Sequence, residues 1–159
     1  MATDTYDIVE EPKGNTYHEI LNYAPNYSSE FLLVLRHSLP AEESAQDIIT
    51  ALNPFLVAKS EQQEWPGTRL FEEMASVYKF KVCSSALEIL KLASDSLFAW
   101  QQPQLPEDLC FLRSTGIPWL VTIAHEKDAY FSLSPEEKVD IETAIRGLML
   151  KRHTDANLD

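Results

Sequence analysis

The stretch Leu109–Leu133, LCFLRSTGIPWLVTIAHEKDAYFSL, decides the fold predicted for this chain of 159 residues. Its first five residues have the composition of a β-strand, and Ser114-Thr115-Gly116 follows as a turn in which glycine supplies a positive φ. Pro118–His125 is the predicted return strand, and Ala129–Leu133 is a third. The segment therefore predicts an antiparallel hairpin or meander in the C-terminal half.

Strands and helices are also predicted outside this segment. Phe31–Arg36 is a nearly unbroken apolar run, which is typical of a central strand covered on both faces, and Val77–Val82 alternates like a half-exposed strand. Apolar residues at helical spacing predict helices from Ala41 to Asn53 and from Ala86 to Trp100, and Ser134-Pro135-Glu136-Glu137 has the pattern of a helix cap. The predicted fold class is α+β, an antiparallel or mixed sheet with three to four helices packed on it.

The length suits one domain, which we place at residues 16–150. Residues 1–15 contain Asp4, Asp7, Glu10 and Glu11 with Pro12, and this composition predicts an acidic, flexible leader. The polar residues 151–159 are predicted to be a frayed tail.

The formal net charge of −12 bears directly on the class of partner. Phosphate backbones and anionic lipid surfaces attract clustered Lys and Arg, so the sequence argues against nucleic-acid and membrane binding. The chain shows neither a signal peptide nor a run of about 18 apolar residues. We therefore expect a cytoplasmic protein.

Sequence motifs of catalysis are absent. The chain has no glycine-rich nucleotide-binding motif and no G-x-S-x-G elbow, and Cys83 and Cys110 have no partner at metal-ligand spacing. The sequence consequently predicts no catalytic residue, no cofactor and no metal site, and it favours a protein that is not an enzyme.

His125, Glu126 and Asp128 are the one place where an imidazole and carboxylates crowd together, so they are candidates for ligand binding. On a strand, however, His125 and Glu126 would point to opposite faces. That geometry favours a structural histidine that fixes a turn.

Three further residues are candidate binding residues. Glu107-Asp108 and Arg113 flank the first predicted strand of the hairpin, where a guanidinium and carboxylates could line a pocket for an anionic or amide ligand or form an exposed ion pair. Trp119 is a candidate for a pocket that Arg113 would share with His125, Glu126 and Asp128. Trp65, beside the turn Pro66-Gly67, is either an exposed anchor for a partner or a core residue.

Three segments resemble a known group of sequences: Trp65–Thr68 (WPGT), Leu105–Arg113 (LPEDLCFLR) and Pro118–Ala129 (PWLVTIAHEKDA). They look like a group of uncharacterised bacterial proteins, some of which carry a label referring to stage III of sporulation. The resemblance covers about Trp65 to Leu133, and it implies a bacterial origin and no established activity.

Three hypotheses of function follow from these observations. The first is a protein-interaction module, resembling an inhibitor or immunity protein, that binds a basic partner. The second is a small-molecule-binding domain or hydrolase whose pocket contains Arg113, Trp119, His125, Glu126 and Asp128. The third is a structural subunit of a homo-oligomer.

Overall fold

The computed structural model describes residues 2–154 of the chain. Over this range the strands are β1 (Asp4–Ile8), β2 (Glu30–Arg36), β3 (Leu56–Gln62), β4 (Glu64–Trp65), β5 (Thr68–Arg69), β6 (Ala75–Lys81), β7 (Glu107–Leu112), β8 (Pro118–Ile123), β9 (Asp128–Leu133) and β10 (Leu150–Arg152). The α-helices are α1 (Asn15–Tyr23), α2 (Glu43–Leu52), α3 (Ser84–Ala93) and α4 (Pro135–Ala144).

Eight of these strands form one antiparallel sheet in the order β10-β1-β9-β8-β7-β2-β6-β3, and β4 and β5 form a separate hairpin. The predicted α+β class is confirmed, and so is the meander, which is β7-β8-β9. The capping box of α4 is present as well: the Ser134 hydroxyl accepts from the Glu137 amide, and the Glu137 carboxylate accepts from the Ser134 amide.

One line of paired residues crosses the whole sheet. Its central members are fully buried, and in the order of the strands it consists of Arg152, Tyr6, Phe131, Leu120, Phe111, Phe31, Phe80 and Leu56. Residues opposite one another on neighbouring strands share a face, so the large side chains of this line form one apolar surface. All four helices pack residues into the same cluster, for example Tyr17, Leu52, Leu90 and Ile141. The prediction of helices packed on the sheet is therefore confirmed.

The opposite face of the sheet has its own apolar cluster. Alternate residues of β2 and β7, such as Leu32, Val34 and Cys110, lie there under Trp65 and Leu70 of the β4–β5 hairpin segment. Phe31–Arg36 is thus covered on both faces, as its apolar run predicts. Gly67 permits this close cover, because a Cβ there would lie 2.8 Å from side-chain carbons of both Val121 and Ile123.

The domain boundaries predicted from the sequence are wrong at both ends. Residues 4–8 of the supposed leader form β1, which pairs with β9 and β10 and buries Tyr6 and Ile8. Lys151 and Arg152 of the supposed tail belong to β10. These strands are short, and their partners lie far away in the sequence, so composition alone does not reveal them. Met1 and residues 155–159 lie outside the described part of the chain.

Several elements differ from the sequence predictions in length or were not predicted. The helix predicted to reach Trp100 ends at Ala93, and the 3-10 turn Leu97–Ala99 follows it. Helix α1 and the edge strand β3, whose residues are almost all exposed, were missed. Within residues 2–154 no helix has both the length and the apolar character needed to cross a membrane.

We expect Phe111→Ala to lower the free energy of unfolding by about 3–5 kcal/mol, because it removes a buried ring from the centre of the sheet. Phe71→Ala is the matched control: Phe71 is 83% exposed, so its loss should change stability by no more than about 0.5 kcal/mol. Urea denaturation of both variants measures the difference, and equal effects would contradict this account of the core.

Candidate functional site

The first two residues of β7, Glu107 and Asp108, are acidic and buried, with only 3% and 1% of their surfaces exposed. Asp108 accepts three hydrogen bonds. The Trp65 indole Nε1 donates to its Oδ2 at 3.0 Å, the Thr68 hydroxyl donates to the same oxygen at 3.4 Å, and the Ala124 amide donates to Oδ1 at 3.0 Å. Asp108 therefore attaches the β4–β5 hairpin and the end of β8 to the start of β7.

A β-bulge explains why two neighbouring strand residues are both buried acids. Leu32 pairs with Cys110 and Val34 with Glu107, so β7 contains one residue more than β2 over this interval. Asp108 has a φ of 57°, in the left-handed region that Asp tolerates better than most residues. Bulges redirect side chains, and here the strict alternation of β7 is interrupted.

Glu107 is held by the loop before β7. Its Oε1 accepts from the Gln102 amide at 2.9 Å. The Gln102 side chain in turn accepts from the Arg36 amide at 2.7 Å and donates to the carbonyl oxygens of Arg36 and Leu39 at 3.2 Å. Gln102 therefore fixes the loop against the end of β2, and Glu107 with it.

His125 is the third member of this group. Strand β8 ends at Ile123, and Ala124–Glu126 forms a 3-10 turn, so the prediction that His125 lies on the strand is wrong. The reason is that the Ala124 amide bonds to Asp108 and Lys127 adopts a left-handed conformation, which turns the chain towards β9. Each of Glu107, Asp108 and His125 offers one ligand atom, and these three atoms lie within 4.8 Å of one another.

The carboxyl groups of Glu107 and Asp108 have little positive charge close to them. Burial raises the pKa of Glu107, and the neighbouring Asp108 adds to the effect. Burial also raises the pKa of Asp108, although the hydrogen bonds from Trp65 and Ala124 oppose the shift. Over residues 2–154, neither carboxylate has a Lys or Arg nitrogen within 4.0 Å.

Arg113 lies at the other end of β7, away from Glu107 and Asp108. Its guanidinium donates to both oxygens of Glu137, at 3.0 and 2.9 Å, and to the Ser132 carbonyl at 2.8 Å. Arg113 also borders a cleft of about 510 Å³ lined by Tyr27 and by hydroxyl residues such as Ser29 and Thr115. Because Glu137 neutralises it, Arg113 does not bring an unpaired charge to this cleft.

The remaining predicted site residues are dispersed. Trp119 is fully buried, with its ring 4.9 Å from that of Phe131, and it belongs to the core. Glu126 is exposed, 3.9 Å from His125, and Asp128 is half-buried at the start of β9. The structure therefore does not bring Arg113, Trp119, His125, Glu126 and Asp128 to one cavity.

Trp65, the sixth candidate, is 5% exposed, so it is a core residue and not an exposed anchor. Sequence reasoning missed Gln102 and Thr68, and it did not associate His125 with Glu107-Asp108. The available signal was the acidic pair at the start of an otherwise apolar strand, where carboxylates are rarely placed without a partner.

Comparison with protein-family models, curated proteins and solved structures gave no match. The resemblance of the Trp65–Leu133 segments to uncharacterised bacterial proteins therefore stays a prediction.

We expect Asp108→Asn to destabilise the protein by about 1–3 kcal/mol, because the amide group that replaces one oxygen must face either the Trp65 or the Ala124 donor. Asn tolerates the left-handed backbone, so strain does not obscure the result. Urea denaturation gives the free energy, and hydrogen exchange should show faster exchange of amides in residues 63–70. Thr68→Val, which removes only the 3.4 Å bond, is the control, and its effect should be smaller.

The Arg113–Glu137 ion pair predicts that the stability of the fold depends on pH. Burial disfavours the charged form of Glu137, but the hydrogen bonds from Arg113 and Ser134 outweigh it and hold the pKa below the ordinary value of 4.5. The contribution to stability is therefore present above that value and is lost as the pH falls through the lowered pKa.

Glu137→Gln should thus cost about 1.5–3 kcal/mol at neutral pH, and the cost should shrink as the solution is acidified below pH 4.5. Urea denaturation at several pH values measures this difference against the wild type. The exposed neighbour Glu136→Gln should show no such trend, and a cost independent of pH for Glu137→Gln would refute the assignment.

Proposed function

We propose that this protein is an interaction module that binds, and thereby neutralises, a basic partner protein. The binding surface is the acidic end, which we define as residues 61–74 and 124–128. These segments lie at the same end of the antiparallel sheet, where β3, β6, β7, β8 and β9 begin or end. Free thiols at Cys83 and Cys110 suit a reducing compartment, which supports the expected cytoplasmic location.

Negative charge is concentrated in the acidic end. Its acidic residues are Glu61, Glu64, Glu72, Glu73, Glu126 and Asp128, whereas its Lys and Arg residues are Arg69 and Lys127. Local contacts compensate part of this charge, since His37 bonds to Glu61 at 2.7 Å and Arg36 pairs with Glu73 at 3.0 Å. The excess that remains would steer a cationic protein towards this surface.

Phe71 is the observation that carries the proposal. It is 83% exposed in the connection between β5 and β6, next to Glu72 and Glu73, and Met74 in the same connection is 43% exposed. Aromatic residues that become buried on binding dominate the energetics of many interfaces. A large exposed apolar side chain followed in the sequence by two carboxylates fits a partner with an apolar pocket and a basic rim. A second copy of this chain would fit poorly, because two acidic ends repel each other.

The test is capture of partners at low salt from an extract of the source organism, with the immobilised full chain, followed by identification of the bound proteins. We expect a basic protein that is released as the salt concentration rises, because screening weakens the attraction. Phe71→Ala and Glu72→Gln should each reduce the amount retained.

Leu92→Ala is the matched control, because Leu92 is 86% exposed on α3 and does not belong to the acidic end. It should retain the same basic protein as the wild type does. The proposal fails if the wild type retains no basic protein at low salt, or if Phe71→Ala and Leu92→Ala retain it equally.

A further inference from the structure

We propose that Glu107, Asp108 and His125 form a binding site for a single divalent transition-metal ion, with Zn²⁺ as the best fit. Two carboxylates and one imidazole are ligands that Zn²⁺ accepts, and a set of three leaves a fourth position open. His125 lies within the acidic end, but binding of the ion does not depend on partner binding through Phe71.

The distances are close to those of a ligand set. Ligand atoms bound to one tetrahedral Zn²⁺ at about 2.1 Å lie about 3.4 Å apart. The three ligand atoms already lie within 4.8 Å of one another. A movement of up to about 1 Å by each completes the set. His125 can make that movement, because its side chain is 44% exposed.

The carboxylates keep lone pairs for an ion. Asp108 Oδ1 accepts one hydrogen bond, from Ala124, and Glu107 Oε1 accepts one, from Gln102. Since an ionised carboxylate offers about four acceptor sites, both residues can coordinate an ion without losing these bonds. The same bonds act as the outer contacts that orient metal ligands.

The charge balance supplies the independent argument. Two adjacent buried carboxylates are costly to ionise unless a cation accompanies them, and the ion pairs of residues 2–154 include neither Glu107 nor Asp108. One divalent ion would balance both charges. The exposed position of His125 gives such an ion a path from solvent.

Calorimetric titration of the chelator-treated full chain with zinc chloride tests the site. We expect saturable binding of one equivalent. His125→Ala should weaken the affinity about tenfold or more, and Glu107→Gln should do the same. Because His125 is exposed, His125→Ala should fold normally, which circular dichroism can verify.

Two matched controls identify adventitious surface binding. His37→Ala disrupts a close histidine–carboxylate pair elsewhere, the 2.7 Å contact with Glu61, and Glu126→Gln removes the exposed carboxylate nearest to His125 in sequence. Both should bind Zn²⁺ as the wild type does. Absence of saturable binding to the wild type, or unchanged affinity in His125→Ala, would overturn the proposal.

Discussion

The line of apolar residues from Tyr6 through Phe131, Leu120, Phe111 and Phe31 to Phe80 is the constraint on which the rest of the structure depends. Burying a side chain of this size contributes about 1.5–3 kcal/mol, and a shift by one residue would turn a strand's apolar residues to the wrong face. The line therefore fixes the register of six strands together. It also gives the helices one continuous surface to cover, which explains why all four pack on the same side.

The cover over the second face of the sheet is attached through a residue of the candidate site. Because β2 and β7 are apolar on both sides, Leu32, Val34 and Cys110 need a cover of their own, and the β4–β5 hairpin provides it. Two strands of two residues each cannot hold themselves in place. The carboxylate of Asp108 attaches the hairpin through Trp65 and Thr68. Burial of an acid at this bulge is thus part of the architecture, and the same bulge places Glu107 beside it.

Local patterns in the sequence predict the central elements well. The apolar run Phe31–Arg36, the glycine turn before β8 and the cap at Ser134 each depend on neighbouring residues, and each is found in the structure. Strands β1 and β10 were missed because their stability comes from pairing across more than a hundred residues. The candidate site was only partly foreseen. The sequence marked His125 as a candidate because Glu126 and Asp128 lie next to it in the chain. In the structure its neighbours are Glu107 and Asp108, which a β-bulge and a 3-10 turn bring close to it. No local sequence pattern predicts that bulge or that turn.

The position of β1 has a consequence for the kinetics of folding. It lies between β9 and β10, and each of its pairs joins residues more than a hundred positions apart in the chain. Contacts at such a separation close a long loop, and the entropic cost of that closure makes them slow to form. The apolar side chains of Tyr6 and Ile8 therefore stay uncovered until this loop closes, whereas the neighbouring β7-β8-β9 meander closes through short loops.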